Sequence, residues 1–159
     1  DKYPIVNSKL EGNKVIVFDE INISVAVQSE QGLVVPVVRN VADKSVREIS
    51  QEVKRLSQKA ENNELTVDDF AGGTITVSNL GSLGIESGNP IINIPQSTIV
   101  FAGAIQKTPV VNEHDEIVIA PIMKLSVCYD HRFIDGVTGA KYTNELKKAL
   151  EQVSMDDIS

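Results

Sequence analysis

Met123-Lys-Leu-Ser-Val-Cys-Tyr-Asp-His-Arg-Phe-Ile-Asp-Gly136 changes from a strand pattern to a loop, and a helix pattern follows it. Side chains up to Tyr129 alternate in a way that is typical of a strand with one face toward a core. Residues 137–152 have a helical pattern, so the polar residues between the two elements lie in a loop. His131 is one of only two histidines in the chain. A base at such a strand edge can reach a substrate while the backbone fixes its ring.

The rest of the chain predicts more strands than helices. Pro36 interrupts an apolar run, which favours an edge or bulged strand there. The predicted strands span residues 15–19, 21–28, 33–38, 74–78, 98–105, 110–111 and 117–119. Residues 112–116 are predicted to form the turn between the last two of these strands. Some of these strands follow one another directly, and others stand on either side of a helix. We therefore expect an α/β fold, a two-layer sandwich with a mixed β-sheet.

Helix signals are local and few. Ser45 and Glu48 form a capping-box pattern that opens the first predicted helix, and residues 66–70 predict a short helical turn. We expect the final helix to bury the apolar side chains of Ala140, Leu146, Leu150 and Val153.

Composition limits the class of protein. A length of 159 residues with 42% hydrophobic and 23% charged residues suits one globular domain. The formal charge of −7 argues against a nucleic-acid partner, which needs a basic face. No apolar run is long enough to cross a membrane, and no signal peptide opens the chain. The single cysteine, Cys128, fits a reducing compartment. We therefore expect a cytoplasmic location, with the mitochondrial matrix as the alternative.

Residue types alone suggest thiol chemistry. A neutral histidine with a pKa of about 6.5 is suited to take a proton from a thiol of pKa about 8.5. The thiolate can then attack a thioester, and a donor must stabilise the oxygen that becomes negative. Ser78, at the end of a strand, is the candidate donor. A nucleophilic serine is the alternative, but the surroundings lack the Gly-x-Ser-x-Gly pattern. No metal is expected, because Cys128 and His131 have no second pair of ligands.

Three stretches together carry a family resemblance. Leu125-Ser-Val-Cys-Tyr-Asp-His-Arg-Phe-Ile-Asp-Gly136 resembles the active-site signature of the dihydrolipoamide acyltransferases of 2-oxo acid dehydrogenase complexes. Gly72-Gly-Thr-Ile-Thr-Val-Ser-Asn-Leu-Gly81, continuing through residues 90–96, is similar to the same family's other landmark. Gly32-Leu-Val-Val-Pro-Val-Val-Arg-Asn40 resembles the strand before its middle helix. The resemblance covers residues 3–152 and implies a fold like that of chloramphenicol acetyltransferase.

The resemblance also implies roles for individual residues. His131 would be the general base that activates the thiol of coenzyme A or, in reverse, the dihydrolipoyl thiol. Ser78 would donate a hydrogen bond to the oxyanion. Asp135 stands where family members carry Asp or Asn, and it would organise the histidine loop. The histidine and serine of one site would come from neighbouring subunits of a homotrimer, and the trimers would assemble into a larger cage.

Substrates and partners follow from the same resemblance. Coenzyme A would be a substrate, and the lipoyl group would arrive on a separate lipoyl domain. The other partners would be the decarboxylase and dihydrolipoamide dehydrogenase components of the complex. Residues 1–153 would form the catalytic core without its N-terminal part, and residues 154–159 would form a C-terminal tail.

Other interpretations stay open. The His-x-x-x-Asp-Gly pattern is shared with O-acyltransferases of the chloramphenicol acetyltransferase type, and a non-catalytic assembly protein would have the same fold. Each candidate side chain also has a structural role to consider. His131 would be a surface histidine, Ser78 a hydroxyl bonded to local backbone, and Asp135 a helix cap. Arg132 would bind phosphate or form a core ion pair, and Cys128 would be a small buried hydrophobe.

Overall fold

The computed structural model describes residues 2–29 and 32–154, which form nine β-strands and three α-helices. The strands are β1 Ser8–Glu11, β2 Lys14–Val17, β3 Ile23–Val25, β4 Val27–Ser29, β5 Gly32–Val34, β6 Val37–Val38, β7 Ile75–Asn79, β8 Thr98–Val111 and β9 Ile117–Tyr129. The helices are α1 Val46–Glu61, α2 Val67–Phe70 and α3 Gly136–Glu151.

Five strands form the central sheet in the order β6-β3-β7-β8-β9. β3, β7 and β8 run parallel to each other, whereas β6 and β9 pair antiparallel at the two edges. This arrangement confirms the predicted mixed sheet. β1 pairs with β2, and β4 pairs with β5, in two separate two-stranded sheets.

The predicted strand over residues 21–28 is wrong as a single element. It divides at Ala26 into β3, which lies in the central sheet, and β4, which pairs with β5. Ala26 N–H still donates to Val77 O, so the chain stays paired where it changes partner. The alternation of side chains continues through the junction, which is why the sequence does not show the division.

The run over residues 33–38 is interrupted at Pro36, as its sequence predicts. β5 ends before the proline and β6 begins after it, at the edge of the central sheet. Proline has no N–H to donate to a neighbouring strand, so an edge accommodates it.

β8 and β9 form a hairpin that is longer than predicted. The short predicted strands merge into two continuous ones, which are joined by the expected turn over residues 112–116. The pairing shifts between Ala102 and Ile105, where Gly103 passes so close to the Glu86 carbonyl that a Cβ there would overlap it. This close contact holds the loop that follows β7 against β8.

The first helix begins as predicted, with Ser45 as N-cap and a complete capping box with Glu48. Leu56 and Ala60 are its buried side chains. The prediction that the final helix buries Ala140, Leu146, Leu150 and Val153 is wrong. Ala140, Leu150 and Val153 are exposed, and Leu146 is half-buried. Instead Gly139 is buried, and a Cβ on it would lie 2.9 Å from the Tyr129 ring.

Across the described residues, the buried apolar side chains are Val6, Val37, Val38, Leu56, Ala60, Ile75, Ile99, Val100, Phe101 and Ile134. In the same part of the chain, no helix combines the length and apolar character needed to cross a membrane.

Candidate functional site

The histidine lies on a tight turn between β9 and α3. Asp130 N–H donates to Ser97 O at 2.8 Å, which ties the start of the turn to the segment before β8. Ile134 N–H donates to Asp130 O at 3.0 Å, and the Ile134 side chain is only 1% exposed. The turn is therefore anchored at both ends, and it presents His131 to solvent.

An ion pair braces the same turn. Arg132 Nε and Nη2 donate to the two carboxylate oxygens of Asp130 at 2.8 and 2.6 Å. These hydrogen bonds lower the pKa of Asp130, so its carboxylate stays ionised. We expected Arg132 either to bind phosphate or to form a core ion pair. The ion pair is present, but the Arg132 side chain is 70% exposed, so it lies at the surface.

Asp135 caps the final helix. Its Oδ1 accepts from Val137 N–H at 2.8 Å and from Thr138 N–H at 2.9 Å. The Thr138 hydroxyl donates to the other oxygen. These bonds, led by that from the Thr138 backbone, lower the pKa of Asp135. The helix-cap interpretation is confirmed. Between described residues no hydrogen bond joins Asp135 to the His131 ring, so any support for the histidine acts through the backbone.

His131 lines a cavity of about 460 Å³. The segment before β8 and the end of β9 both contribute to its lining. The lining residues are Leu10, Pro90, Ile91, Ile92, Ile94, Pro95, Gln96, Cys128, Tyr129, Asp130, His131 and Arg132. Cys128, which we expected to be a buried hydrophobe, is half-buried and lies in this wall. A thiol entering here would meet the imidazole beside apolar walls.

Ser78 lines a different cavity, of about 490 Å³. The lining residues are Ala26, Leu33, Val35, Thr76, Ser78, Leu80, Ile85, Gly88, Asn89, Pro90, Ile91, Ile92, Asn93, Ile99 and Phe101. In the described part of the chain the Ser78 hydroxyl makes no hydrogen bond. It therefore does not serve the local backbone, and it is available to a ligand.

One chain does not bring His131 and Ser78 into a common cavity. The two cavities share only residues 90–92 of their walls. Ser78 pairs with Phe101 on β8, and Phe101 pairs with Ser126 on β9, so Ser78 and Ser126 lie two strand spacings apart. Tyr129 lies three residues further along β9. Each of these displacements is roughly 10 Å, so Tyr129, two residues before the histidine, lies about 14 Å from Ser78.

The sequence reasoning missed a buried polar link between the two cavities. Gln96 Nε2 donates to Ser24 Oγ at 2.8 Å, and Thr76 Oγ1 donates to Gln96 Oε1 at 2.5 Å. Gln96 lies in the wall of the histidine cavity, whereas Thr76 lines the serine cavity. The available signal was Gln96 itself, a polar residue that ends a mainly apolar stretch. Its partners are far away in sequence, so their identity was not predictable.

Over residues 2–29 and 32–154, no group of three or more His, Cys, Asp or Glu side chains is placed to hold a metal ion.

Comparison with known sequences gives a consistent result. Residues 1–155 match the family described as 2-oxoacid dehydrogenases acyltransferase (catalytic domain). The chain is 43% identical over 148 residues to the dihydrolipoyllysine-residue acetyltransferase component of the pyruvate dehydrogenase complex of Rickettsia conorii. It is 40% identical over 153 residues to the lipoamide acyltransferase component of the branched-chain alpha-keto acid dehydrogenase complex of Arabidopsis thaliana. It is 41% identical over 148 residues to the succinyltransferase component of the 2-oxoglutarate dehydrogenase complex of Saccharomyces cerevisiae.

These matches cover 93–95% of this chain but only 32–36% of the relatives, so the chain spans about a third of their length.

Solved structures agree. A probable dihydrolipoamide acetyltransferase of Listeria monocytogenes has a TM-score of 0.95 at 35% identity, covering 99% of this chain and 67% of that one. The Azotobacter vinelandii dihydrolipoamide acetyltransferase, studied for the roles of a serine, a histidine and an asparagine in its catalytic mechanism, has a TM-score of 0.91 at 32% identity. The cubic core of a pyruvate dehydrogenase multienzyme complex has a TM-score of 0.91 at 33% identity. The last two matches each cover 95% of this chain and 63% of the other.

A chloramphenicol acetyltransferase matches with a TM-score of 0.53 at 17% identity, covering 99% of this chain and 71% of that one. At this identity the likeness concerns the fold alone, and it confirms the predicted fold class.

Proposed function

The chain belongs to the 2-oxoacid dehydrogenase acyltransferase family, and from that membership we propose that it transfers an acyl group between a dihydrolipoyl thiol and coenzyme A. The observation that carries the proposal is His131, which is exposed on an anchored turn and lines a cavity together with the apolar residues 90–92 and 94–95. Relatives that the chain matches are named as acetyl-, succinyl- and branched-chain acyltransferase components.

The reaction can be written with residues of this chain. The His131 imidazole takes the proton from the coenzyme A thiol, and the thiolate attacks the carbonyl carbon of the acyl-dihydrolipoyl thioester. The Ser78 hydroxyl donates a hydrogen bond to the oxyanion that forms. The intermediate then collapses, the bond to the dihydrolipoyl sulfur breaks, and that sulfur regains a proton from the imidazolium. The Azotobacter enzyme's histidine and asparagine have the same spacing as His131 and Asp135.

The position of Ser78 favours a site shared between copies of the chain. Because His131 and Ser78 line separate cavities on one chain, the base and the oxyanion donor of one reaction would come from different chains. From the family resemblance we propose that this assembly is a homotrimer and that the trimers form a larger cage, with the lipoyl domain, the decarboxylase and the dihydrolipoamide dehydrogenase as partners. The cubic core among the solved structures supports the cage. A cytoplasmic location, or the mitochondrial matrix, is proposed because the single cysteine, Cys128, fits a reducing compartment.

A thiol-release assay with an acyl-coenzyme A and dihydrolipoamide tests the proposal. We expect His131→Ala to lower kcat by at least about 100-fold, because general base catalysis contributes that much. Ser78→Ala should cost about 100-fold through the lost oxyanion donor. His114→Ala is the matched control, since His114 is exposed in the hairpin turn and belongs to neither cavity. Equal turnover of His131→Ala and the wild type would refute the assignment.

Mixing the two impaired variants tests the shared site. If subunits assemble at random, about a quarter of the sites combine an intact His131 with an intact Ser78 from a neighbour. Activity should therefore return after dissociation and joint reassembly. No recovery would show that one chain holds the whole site. Light scattering, measured alongside the assay, tests the alternative of a non-catalytic assembly protein. A large assembly without turnover would favour that alternative.

A further inference from the structure

Residues 88–95, here called the wall segment, lie between β7 and β8 and contribute to the lining of both cavities. Between described residues, the one hydrogen bond of the wall segment runs from Gln96 N–H to Asn93 O at 3.0 Å. The Ile91 and Ile94 side chains are 91% and 88% exposed, so packing does little to hold them. The position of the wall segment therefore depends on the residues at its ends.

Gln96 attaches the end of the wall segment to the central sheet. Its side chain donates to Ser24 on β3 and accepts from Thr76 on β7. Gly73 leaves room for this arrangement, because a Cβ there would lie 2.9 Å from Gln96 Nε2 and would overlap Ser24 Oγ. Thr76 lies two residues before Ser78, and alternate residues of a strand share a face. The attachment is therefore on the face of β7 that carries Ser78.

The histidine turn is attached at the very next residue. Ser97 is 1% exposed, and its carbonyl oxygen accepts the Asp130 N–H at 2.8 Å. Gln96 and His131 also line the same cavity. One buried side chain and the carbonyl of its neighbour thus connect the strand that carries Ser78 to the turn that carries His131.

We propose that Gln96 is a positioning residue for acyl transfer, which holds the wall segment and the histidine turn at a fixed place relative to Ser78. The inference rests on the proposed function. Between described residues the Gln96 carboxamide bonds to two hydroxyls, so it acts on the reaction through its neighbours. Because His131 and Ser78 of one chain would serve different sites, one Gln96 supports the histidine half of one site and the serine half of the next.

Turnover tests the positioning role against a matched control. Gln96→Leu should lower kcat at least about 10-fold, because small displacements of catalytic groups are costly. Thr74→Val is the control: Thr74 is 2% exposed, and its hydroxyl also makes two hydrogen bonds, with the backbone of Asn22 at the start of the same two strands. It belongs to none of the cavity walls, so kcat should change less than about 3-fold. Equal losses in the two variants would overturn the proposal.

A conservative substitution tests whether hydrogen bonding is the cause. The Gln96→Glu side chain has the same length, and its carboxyl oxygens can accept from both hydroxyls. Its kcat should be at least about 3-fold higher than that of Gln96→Leu. Equal kcat values for the two variants would show that the hydrogen bonds do not position the site.

Hydrogen exchange followed by mass spectrometry separates this inference from the proposed function. In Gln96→Leu, exchange of residues 130–134 should be at least about 10-fold faster than in the wild type, whereas exchange in α1 should rise no more than in Thr74→Val. Unchanged exchange in the histidine turn would overturn the inference. Faster exchange there, in a protein whose wild type shows no turnover, would count against the proposed function alone.

Mixed assemblies test the effect on two sites. A Gln96→Leu chain would have both halves displaced, so reassembly with His131→Ala or with Ser78→Ala leaves no intact site. Turnover of each mixture should stay at the mean of its two variants, while the mixture of His131→Ala with Ser78→Ala recovers. Recovery in a mixture that contains Gln96→Leu would show that Gln96 serves one half alone, and it would overturn the link between the two.

Discussion

Gln96→Leu should destabilise the chain, although leucine is nearly the same size and more apolar. Gln96 is 6% exposed, and it joins Ser24 to Thr76, which are 1% and 2% exposed. The substitution leaves two buried hydroxyls without their partner, at about 1–3 kcal/mol each. A buried leucine returns about 1.5–3 kcal/mol of apolar burial. The polar loss is larger, and we expect a net loss of about 2 kcal/mol.

Urea unfolding followed by far-UV circular dichroism measures this loss. The protein concentration must be held constant, since association would add to the apparent stability. The midpoint should fall while the slope stays unchanged, because the surface exposed on unfolding is the same. A free energy of unfolding for Gln96→Leu that lies within about 0.5 kcal/mol of the wild-type value would refute the reasoning.

A triple variant isolates the cause. Adding Ser24→Ala and Thr76→Val to Gln96→Leu removes the stranded hydroxyls with little change in shape, so most of the lost stability should return. If the triple variant is as unstable as the single one, packing and not hydrogen bonding explains the loss.

Three further outcomes are expected. Gly103→Ala pushes a methyl group onto the Glu86 carbonyl, so urea unfolding should show a loss of about 1–3 kcal/mol, and an unchanged midpoint would contradict that packing. The pKa of Asp69 is lowered to about 2, chiefly by the hydrogen bond from Lys59 Nζ. Its stabilisation is therefore present above an unfolded-state pKa of about 3.9 and is lost as the pH falls toward the folded value. Asp69→Asn should flatten the fall in melting temperature over that interval, and an unaltered slope would argue against the ion pair. Asp135→Ala should lower the melting temperature and Asp135→Asn should retain most of it, because asparagine still caps a helix; equal melting temperatures for all three proteins would exclude the cap.

The site was predictable in its parts but not in its arrangement. His131 follows a strand pattern and precedes a helix pattern, and both elements are present. The helix-cap role of Asp135 was also readable, because a cap bonds to residues only two and three positions away. The roles of His131 and Ser78 in catalysis remain predictions that the assays above test.

What the sequence determined by itself is local. The capping box of Ser45 and Glu48, the break at Pro36 and the turn over residues 112–116 each depend on contacts within a few positions. Because the residues that make these contacts are close together in the sequence, the sequence itself shows the pattern that predicts them.

Only the tertiary structure decided the rest. The division of one strand at Ala26, the burial of Gly139 in place of Leu150, and the link from Ser24 through Gln96 to Thr76 all depend on distant partners. Ser24 and Gln96 are 72 positions apart, and nothing local to either residue indicates the other. Side-chain periodicity shows which face of a strand is apolar, whereas the choice of neighbouring strand depends on how the whole chain packs. For the same reason, the separation of His131 and Ser78 into two cavities became visible only in the folded chain.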